Sequence, residues 1–419
     1  MALRQQRLRG LIAAAGLTAC GATHDGPTEA ERYLRDAAFR RATLVASLAA
    51  PTLPYATLRL RHYESGDEGD WARLPTWNPP AGSWSPDATD LPALQPFVIT
   101  EGARRGDLDA LRALGEAAFL NYPAQLAPSA VALSDRGTLA RRGVRFEGAS
   151  AVGLRRVRLP DGSEAVALTC AACHSAADAT GASIAGLMNA SLDLGALAAS
   201  HTDDPALAAR YRAWGPGRVD VTTPDGREPV AVPDLRAVRF QRYLQRAGAV
   251  AQRSLASLAV RIETLLITSL HASVRPPREV SLGLAVYLYA LGEALGPAPS
   301  PDGTRGGRLF AARCARCHAP PDYSGGWVPA DEVGTDPSAA RSVERGTGSY
   351  RVPSLRGVGA RVGLLHDGAA TDVEMLLDPQ RVRADYTLSR RGGAIVGHAY
   401  GLDLDAGDRA ALREFLRAL

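Results

Sequence analysis

The chain has 419 residues, with 48 basic and 44 acidic side chains and a formal net charge of +4. Its basic side chains are all arginines, because the sequence contains no lysine. Three of these arginines fall within the first nine residues, so the rest of the chain is close to charge balance. This balance argues against a nucleic-acid partner, and the length predicts two or three domains.

The first residues have the features of an export signal. Arg4, Arg7 and Arg9 precede a short apolar run that leads into Leu17-Thr18-Ala19-Cys20. This pattern predicts a lipoprotein signal peptide over residues 1–19 and a lipid on Cys20. The lipid would anchor the protein on the periplasmic side of a bacterial membrane, the outer membrane being one candidate. The apolar run is shorter than the roughly 20 residues of a transmembrane helix. The alternative is plain secretion, with Cys20 removed or left as a free thiol.

Residues 20–97 are predicted to form an irregular N-terminal extension. Trp71, Trp77 and Trp84 lie there among proline, glycine and aspartate without clear periodicity. This composition predicts a strap on the surface of the globular part.

A first globular unit is predicted over residues 98–298. Alternating apolar residues on either side of Asp161-Gly162 predict a small β-hairpin that ends just before Cys170-Ala171-Ala172-Cys173-His174. A long helix with an apolar face follows around 255–266. An amphipathic helix around 284–295 closes the unit.

A second unit is predicted over residues 299–419, after a stretch rich in proline and glycine at 296–307. A short helix over 307–313 leads into Cys314-Ala315-Arg316-Cys317-His318. An amphipathic helix with Leu412, Phe415, Leu416 and Leu419 ends the chain. The two pentapeptides are 144 residues apart, and the shared order of elements predicts a loose internal duplication.

Both pentapeptides match the covalent attachment site of a c-type haem. Thiols at i and i+3 share one face of a helical turn, where each can form a thioether to a haem vinyl group, and the histidine can bind the iron. The pattern therefore predicts two covalently bound haem c groups, held by Cys170, Cys173 and His174 and by Cys314, Cys317 and His318. A thioredoxin-type redox pair and a four-cysteine zinc site are the alternatives, but they leave both histidines unexplained.

The sixth iron position decides between two kinds of function. A filled position favours electron transfer, whereas an open one binds a small ligand such as peroxide or oxygen. For the second haem we predict His366, on a loop before a capping box at 371–374; Met375 is the alternative, and His398 is predicted to be a structural loop histidine. For the first haem the candidates are Met188, His271 or no protein ligand.

Propionate groups need cationic partners. Arg356 is the arginine that we predict to bind one, although the arginine content as a whole is typical of a GC-rich coding sequence.

At these residues the chain resembles the bacterial di-haem c-type cytochromes, which include the di-haem cytochrome c peroxidases and the di-haem rubber oxygenases. The resemblance covers roughly residues 100–419. Besides the pentapeptides, it is carried by Pro353-Ser354-Leu355-Arg356, His366-Asp367-Gly368 and Gly397-His398. It implies His174 and His318 as proximal ligands, supports His366 as a distal ligand, and implies one electron-transfer haem and one reactive haem. The peroxidases of this group have a distal histidine in the stretch equivalent to 183–194, which contains none here.

Together these observations predict a mainly α-helical protein with two cytochrome c-like haem domains, an irregular extension and a small β-hairpin. The predicted function is one-electron transfer with redox partner proteins. The alternative is a di-haem peroxidase or oxygenase, in which a reactive first haem meets a small oxidant and the second haem relays electrons.

Overall fold

The computed structural model describes residues 27–66, 69–79, 91–92, 94, 97–178, 180–220, 226–270 and 272–419. Within these ranges the protein is helix-rich with small sheets of two or three strands, in agreement with the predicted mainly α class. The predicted signal peptide, Cys20 and His271 lie outside the described residues. The domain boundaries after residues 97 and 298 stay predictions.

The α-helices described are α1 Glu29–Arg35, α2 Ala37–Ser47, α3 Pro54–His62, α4 Glu101–Arg105, α5 Leu108–Asn121, α6 Ser129–Leu133, α7 Arg136–Arg141, α8 Cys170–Cys173, α9 Leu194–Ala199, α10 Pro205–Arg212, α11 Leu255–Ser269, α12 Arg278–Glu293, α13 Arg305–Arg313, α14 Ala330–Val333, α15 Val373–Leu376 and α16 Ala406–Ala418. The strands are β1 Gln125–Leu126, β2 Phe146–Glu147, β3 Ser150–Ala151, β4 Leu154–Arg158, β5 Glu164–Leu168, β6 Ser175–Ala177, β7 Ser183–Ala185, β8 Arg218–Val219, β9 Val230–Ala231, β10 Tyr243–Leu244, β11 Val250–Ala251, β12 Trp327–Pro329 and β13 Ser349–Arg351.

The N-terminal extension is helical over much of its described length, so the prediction of an irregular segment is wrong between residues 29 and 62. Thr28 and Glu31 form a capping box at the start of α1, and Asp36 caps α2. These are strong helix-start signals. The periodicity was weak because the helices are short and each buries only two or three side chains.

The extension is attached to the first unit through a buried carboxylate. The hydroxyl groups of Tyr33 and Tyr63 donate to Glu263 on α11, at 2.9 and 2.7 Å. Arg278 lies 3.7 Å from the same carboxylate and 2.7 Å from Glu64. Both tyrosines are almost fully buried, so these bonds form inside the core rather than on its surface.

The core of the first unit forms where α5, α11 and α12 pack together. The predicted long helices are confirmed as α11 and α12. Gly115 on α5 faces Gly283 on α12, and a Cβ atom on Gly115 would lie 1.9 Å from the carbonyl oxygen of Gly283. The two backbones approach this closely because neither residue has a side chain.

The predicted hairpin is confirmed and positions the first pentapeptide. Strand β4 pairs antiparallel with β5, from Leu154 opposite Leu168 to Arg158 opposite Glu164, and β1 adds a third strand. Gly153 has φ of +76°, and a Cβ atom there would lie 2.0 Å from the amide nitrogen of Ala172. The start of β4 therefore packs directly against the helical turn that carries the two cysteines.

The second pentapeptide follows α13, which packs on α16. Phe310 is fully buried and contacts Tyr323 and Phe415, with ring centroids 5.3 and 5.2 Å apart. Both predicted helices are confirmed here, as α13 and α16. The helix α15 is capped by Asp372, whose side chain accepts from the Met375 amide, and not by Thr371 as the predicted capping box implied.

Among the described residues, no helix has both the length and the apolar character needed to cross a bilayer.

Candidate haem sites

The first pentapeptide presents a histidine in a defined tautomer. Cys170–Cys173 form α8, and His174 is its C-cap. His174 Nδ1 lies 3.0 Å from the carbonyl oxygen of Pro233. Since a carbonyl can only accept, the proton is on Nδ1 and the lone pair is on Nε2. Burial lowers the pKa of His174 to about 4, so the ring is neutral at neutral pH and can bind a metal through Nε2.

The second pentapeptide repeats this arrangement. His318 Nδ1 lies 3.0 Å from the carbonyl oxygen of Pro353, and the same argument places its lone pair on Nε2. Burial, and then the neighbouring His398, lower the pKa of His318 to about 4. Both histidines are therefore oriented by a backbone carbonyl, as metal-binding imidazoles usually are.

The two proline carbonyls belong to a repeated segment that the sequence analysis missed. Val-Pro-x-Leu-Arg-x-Val occurs at 232–238 and again at 352–358, and each copy leads into a 3₁₀ turn, Val238–Phe240 and Val358–Ala360. Twelve residues after each proline, Gln245 and Leu365 both adopt positive φ, 63° and 69°. The repeat was visible in the sequence, and it would have identified Pro233 as the partner of His174.

Each pentapeptide lines a mostly apolar cavity. The first cavity, of about 300 Å³, is lined by Cys170, Cys173 and His174 together with leucine side chains of α11 and α12. The second cavity, of about 220 Å³, is lined by the corresponding residues of the second pentapeptide. Concave apolar walls with a few polar groups are typical of cofactor sites.

The environment of the cysteines does not favour a zinc site. Burial raises the pKa of Cys170 and of Cys173 to about 12 and that of Cys314 to about 11. Zinc is held by thiolates, usually four ligands together, and no cluster of three or more His, Cys, Asp or Glu converges among the described residues. A porphyrin supplies four equatorial nitrogens, so a single histidine beside each cavity is sufficient. The residues present therefore fit haem c.

His398 and His318 both line the second cavity. The two ring centroids are 6.5 Å apart, with an interplanar angle of 68°. Imidazoles that bind one metal from opposite sides have ring centres roughly 6 Å apart, since each metal–nitrogen bond is about 2 Å. His398 Nδ1 is buried without a hydrogen-bond partner. Burial, and then Arg381, lower the pKa of His398 to about 4, which keeps the ring neutral.

The loop that carries His398 is positioned by a fully buried arginine. Arg381 donates to the carbonyl oxygens of Gly397 and His398 at 3.0 and 2.8 Å, and also to those of Leu376 and Ile395. His398 itself has φ of 45°, a strained conformation for a residue with a side chain. Four carbonyl contacts from one guanidinium stabilise this conformation.

His366, the distal ligand predicted from sequence, also lines the second cavity. Its ring stacks on Tyr350, with centroids 4.7 Å apart and an interplanar angle of 23°. Burial lowers its pKa. The geometry therefore favours His398 over His366 as the partner of His318, and His366 is positioned by its tyrosine neighbour.

Met188 lies on a different cavity from the one predicted. It is buried and lines the second cavity, where its side chain packs close to Gly217 and Gly363. In the described lining of the first cavity, His174 is the only histidine and there is no methionine, tyrosine or lysine. Gln245 is in that lining, and both polar atoms of its amide are buried without a hydrogen-bond partner.

Arg356, the predicted propionate partner, is absent from the described lining of both cavities. Its guanidinium donates to the carbonyl oxygens of Leu419 and Gly296 and lies over the ring of Phe240. These contacts account for its burial without a propionate. Arg246 and Arg351, which no sequence pattern distinguished from the other arginines, line both cavities.

Comparison with known proteins found similar chains among the solved structures. No protein-family model matches the chain, and no curated protein matches it. The chain is similar to a solved structure described as a MauG-like protein associated with microbial copper homeostasis. The identity is 13%, with 81% of this chain and 95% of that chain covered, and the TM-score is 0.34.

Proposed function

We propose that this protein is a di-haem c-type redox protein in which the two haems have different roles. The second haem would be six-coordinate, bound by His318 and His398, and would relay electrons. Among the described residues, only His174 would bind the first, which would accept a small oxidant at its open position. The observation that carries this proposal is the contrast between the two cavities. The ring of His398 lies 6.5 Å from that of His318 in the second, whereas the described lining of the first contains no second histidine beside His174.

Haem iron supplies the one-electron chemistry when bound. The residues of this chain orient and enclose it. Pro233 and Pro353 fix the two proximal imidazoles, and Arg381 fixes the His398 loop. The apolar side chains of α11 and α12 limit the access of water to the first cavity. The Gln245 amide offers a hydrogen-bond donor to whatever occupies the open position.

The two cavities share a wall, which supports electron exchange between them. Val232, Pro233, Arg246 and Arg351 line both cavities. The carbonyl oxygen of Pro233 also accepts a hydrogen bond from His174. The segment that contains Pro233 therefore contacts the proximal ligand of the first site and forms part of the wall of the second cavity. An electron delivered to the second haem would have little protein to cross.

Optical and EPR spectra of the purified holoprotein test this proposal. We expect one low-spin haem and one high-spin haem, with only the high-spin haem binding carbon monoxide after reduction. Two low-spin haems that do not bind carbon monoxide would contradict the proposal that the first haem has an open position.

A plain electron carrier is the second candidate function, and the shared wall favours it. A carrier needs two haems close together and no open position. The same spectra distinguish the two candidates, because a carrier would show two six-coordinate haems. Its partners would be redox proteins, whereas the enzyme would also bind a small oxidant such as peroxide or oxygen.

The location remains a proposal as well. A lipid on Cys20 would hold both haems on the periplasmic side of a bacterial membrane. The export pattern at residues 1–19 supports this, since haem c is attached after export.

A further inference from the structure

The wall between the two cavities carries two arginines that form no ion pair among the described residues. Arg246 and Arg351 line both cavities. Among the described residues, no carboxylate lies within ion-pair distance of either guanidinium, although neighbouring arginines have such partners. Arg351 Nε is buried with no hydrogen-bond partner.

The contacts that these two arginines do make are with neutral groups. Arg246 Nη2 donates to the carbonyl oxygen of Ala231 at 2.6 Å, and Arg351 Nη1 donates to the amide oxygen of Gln241. Burial lowers the pKa of Arg246 to about 10, although the charge of Asp367 acts in the opposite direction. Burial, followed by the charges of Arg246 and Arg361, lowers that of Arg351 to about 9. Both side chains are still cationic at neutral pH.

Neighbouring arginines show that this fold neutralises other cations. Arg361 lies 3.3 Å from Asp234. Arg345, which lines the first cavity only, lies 3.6 Å from Asp220 and 3.4 Å from Glu228. A buried charge without a partner is costly, so two such charges on one wall indicate anions that enter from the cavities.

We propose that Arg246 and Arg351 form an arginine bridge that binds propionate carboxylates of both haems at once. The inference rests on the proposed di-haem function. A guanidinium binds carboxylates through a planar fork of donors, and its separate N–H groups can serve two carboxylates. The bridge replaces Arg356 as the propionate site of this protein.

The bridge has a consequence for the reduction potentials. An oxidised haem carries one more positive charge than a reduced one, so a nearby cation favours the reduced form. A cation shared by two haems raises the reduction potential of both. Removal of either arginine therefore lowers two midpoint potentials together.

Potentiometric titration of the holoprotein, followed by optical spectra, tests the bridge. We expect Arg351→Gln and Arg246→Gln each to shift both midpoint potentials to lower values. Arg316→Gln is the matched control: Arg316 lines the second cavity only, is exposed and lies 2.7 Å from Glu332. It should leave the midpoint of the first haem unchanged.

A shift of only one midpoint in Arg351→Gln, or of neither, would overturn the bridge. So would parent midpoints that move with phosphate concentration at constant ionic strength, because the wall would then bind a free anion. If Arg351→Gln yields no holoprotein, Arg351→Lys replaces it in the test. Lysine retains the positive charge, so both midpoint potentials should be closer to those of the parent than they are in Arg246→Gln. Haem content is measured separately by pyridine haemochrome, and its absence from the parent would overturn the proposed function instead.

Discussion

The imidazole rings of His318 and His398 both line the second cavity, with centroids 6.5 Å apart. The two residues are 80 positions apart in the chain and reach this arrangement by different means. Pro353 orients His318 through its carbonyl oxygen, and Arg381 positions the loop of His398 through carbonyl contacts. Each imidazole is thus oriented by its own contact, and the gap between them suits a metal.

Replacement of His398 by Ala should convert one haem from low spin to high spin while both haems stay attached. The reason is that His318 would lose its opposite ligand. Electron paramagnetic resonance and carbon monoxide binding to the reduced protein measure this change. His366→Ala is the matched control, since its ring stacks on Tyr350 and its loss should leave the spin states as they are. The opposite pattern would restore His366 as the ligand.

Each cysteine pair should account for one haem. The double variant Cys170→Ala, Cys173→Ala should retain a single covalent haem at the second pentapeptide. Cys314→Ala, Cys317→Ala should retain the one at the first. Mass spectrometry of the intact denatured protein counts the adducts. Two haems in either variant would show that the thioethers form elsewhere.

Gln245→Leu should weaken the binding of an anionic ligand at the first haem. The amide is buried beside that cavity without a partner, and a hydrogen bond to a charged acceptor contributes about 1.5–3 kcal/mol. We therefore expect fluoride affinity of the oxidised protein to fall by roughly tenfold or more. Leu365→Gln is the control, because Leu365 holds the equivalent position beside the second cavity. This substitution should leave the fluoride affinity unchanged. Unchanged fluoride affinity in Gln245→Leu would count against an amide donor at this site.

Tyr33→Phe should destabilise the protein by about 1–3 kcal/mol, because it removes a buried hydrogen bond to the Glu263 carboxylate. Denaturant unfolding of the holoprotein measures the loss. Tyr386→Phe is the control, since Tyr386 is also buried but its hydroxyl makes no hydrogen bond in the described part of the chain. Equal effects of the two substitutions would mean that the bond to Glu263 contributes little.

Cys20→Ser should release the protein from the membrane fraction. Among the described residues there is no helix suited to span a bilayer, so the lipid is the anchor that we propose. Cell fractionation followed by haem staining measures the distribution. Variant protein that still sediments with membranes would argue for another form of attachment.

Much of the fold followed from local signals in the sequence. The apolar stripes of α11, α12 and α16 and the alternation around Asp161-Gly162 each depend on neighbouring residues, and the structure has these elements where they were predicted. The N-terminal helices were missed because they bury few residues each and gain stability from distant partners such as Glu263. The apolar periodicity of a sequence reveals the buried face of a helix only when the helix is long enough to bury several residues on that face.

The site was predictable only in part, for a related reason. The pentapeptides are local motifs, so the proximal histidines could be read directly. The partner of His318 depends on the tertiary position of a loop, which Arg381 sets from outside the motif. Similarly, the composition gave no means of distinguishing Arg246 and Arg351 from many other arginines. Their special feature is a place on two cavities at once.

The burial of the cysteines has a consequence for biosynthesis. A thiol whose pKa lies near 12, as for Cys170 and Cys173, is almost wholly protonated at neutral pH and is a poor nucleophile. Once the apoprotein has folded, its own environment would slow the addition of these thiols to vinyl groups. Thioether formation should therefore be faster while these thiols are still exposed to water than after the chain has folded around them.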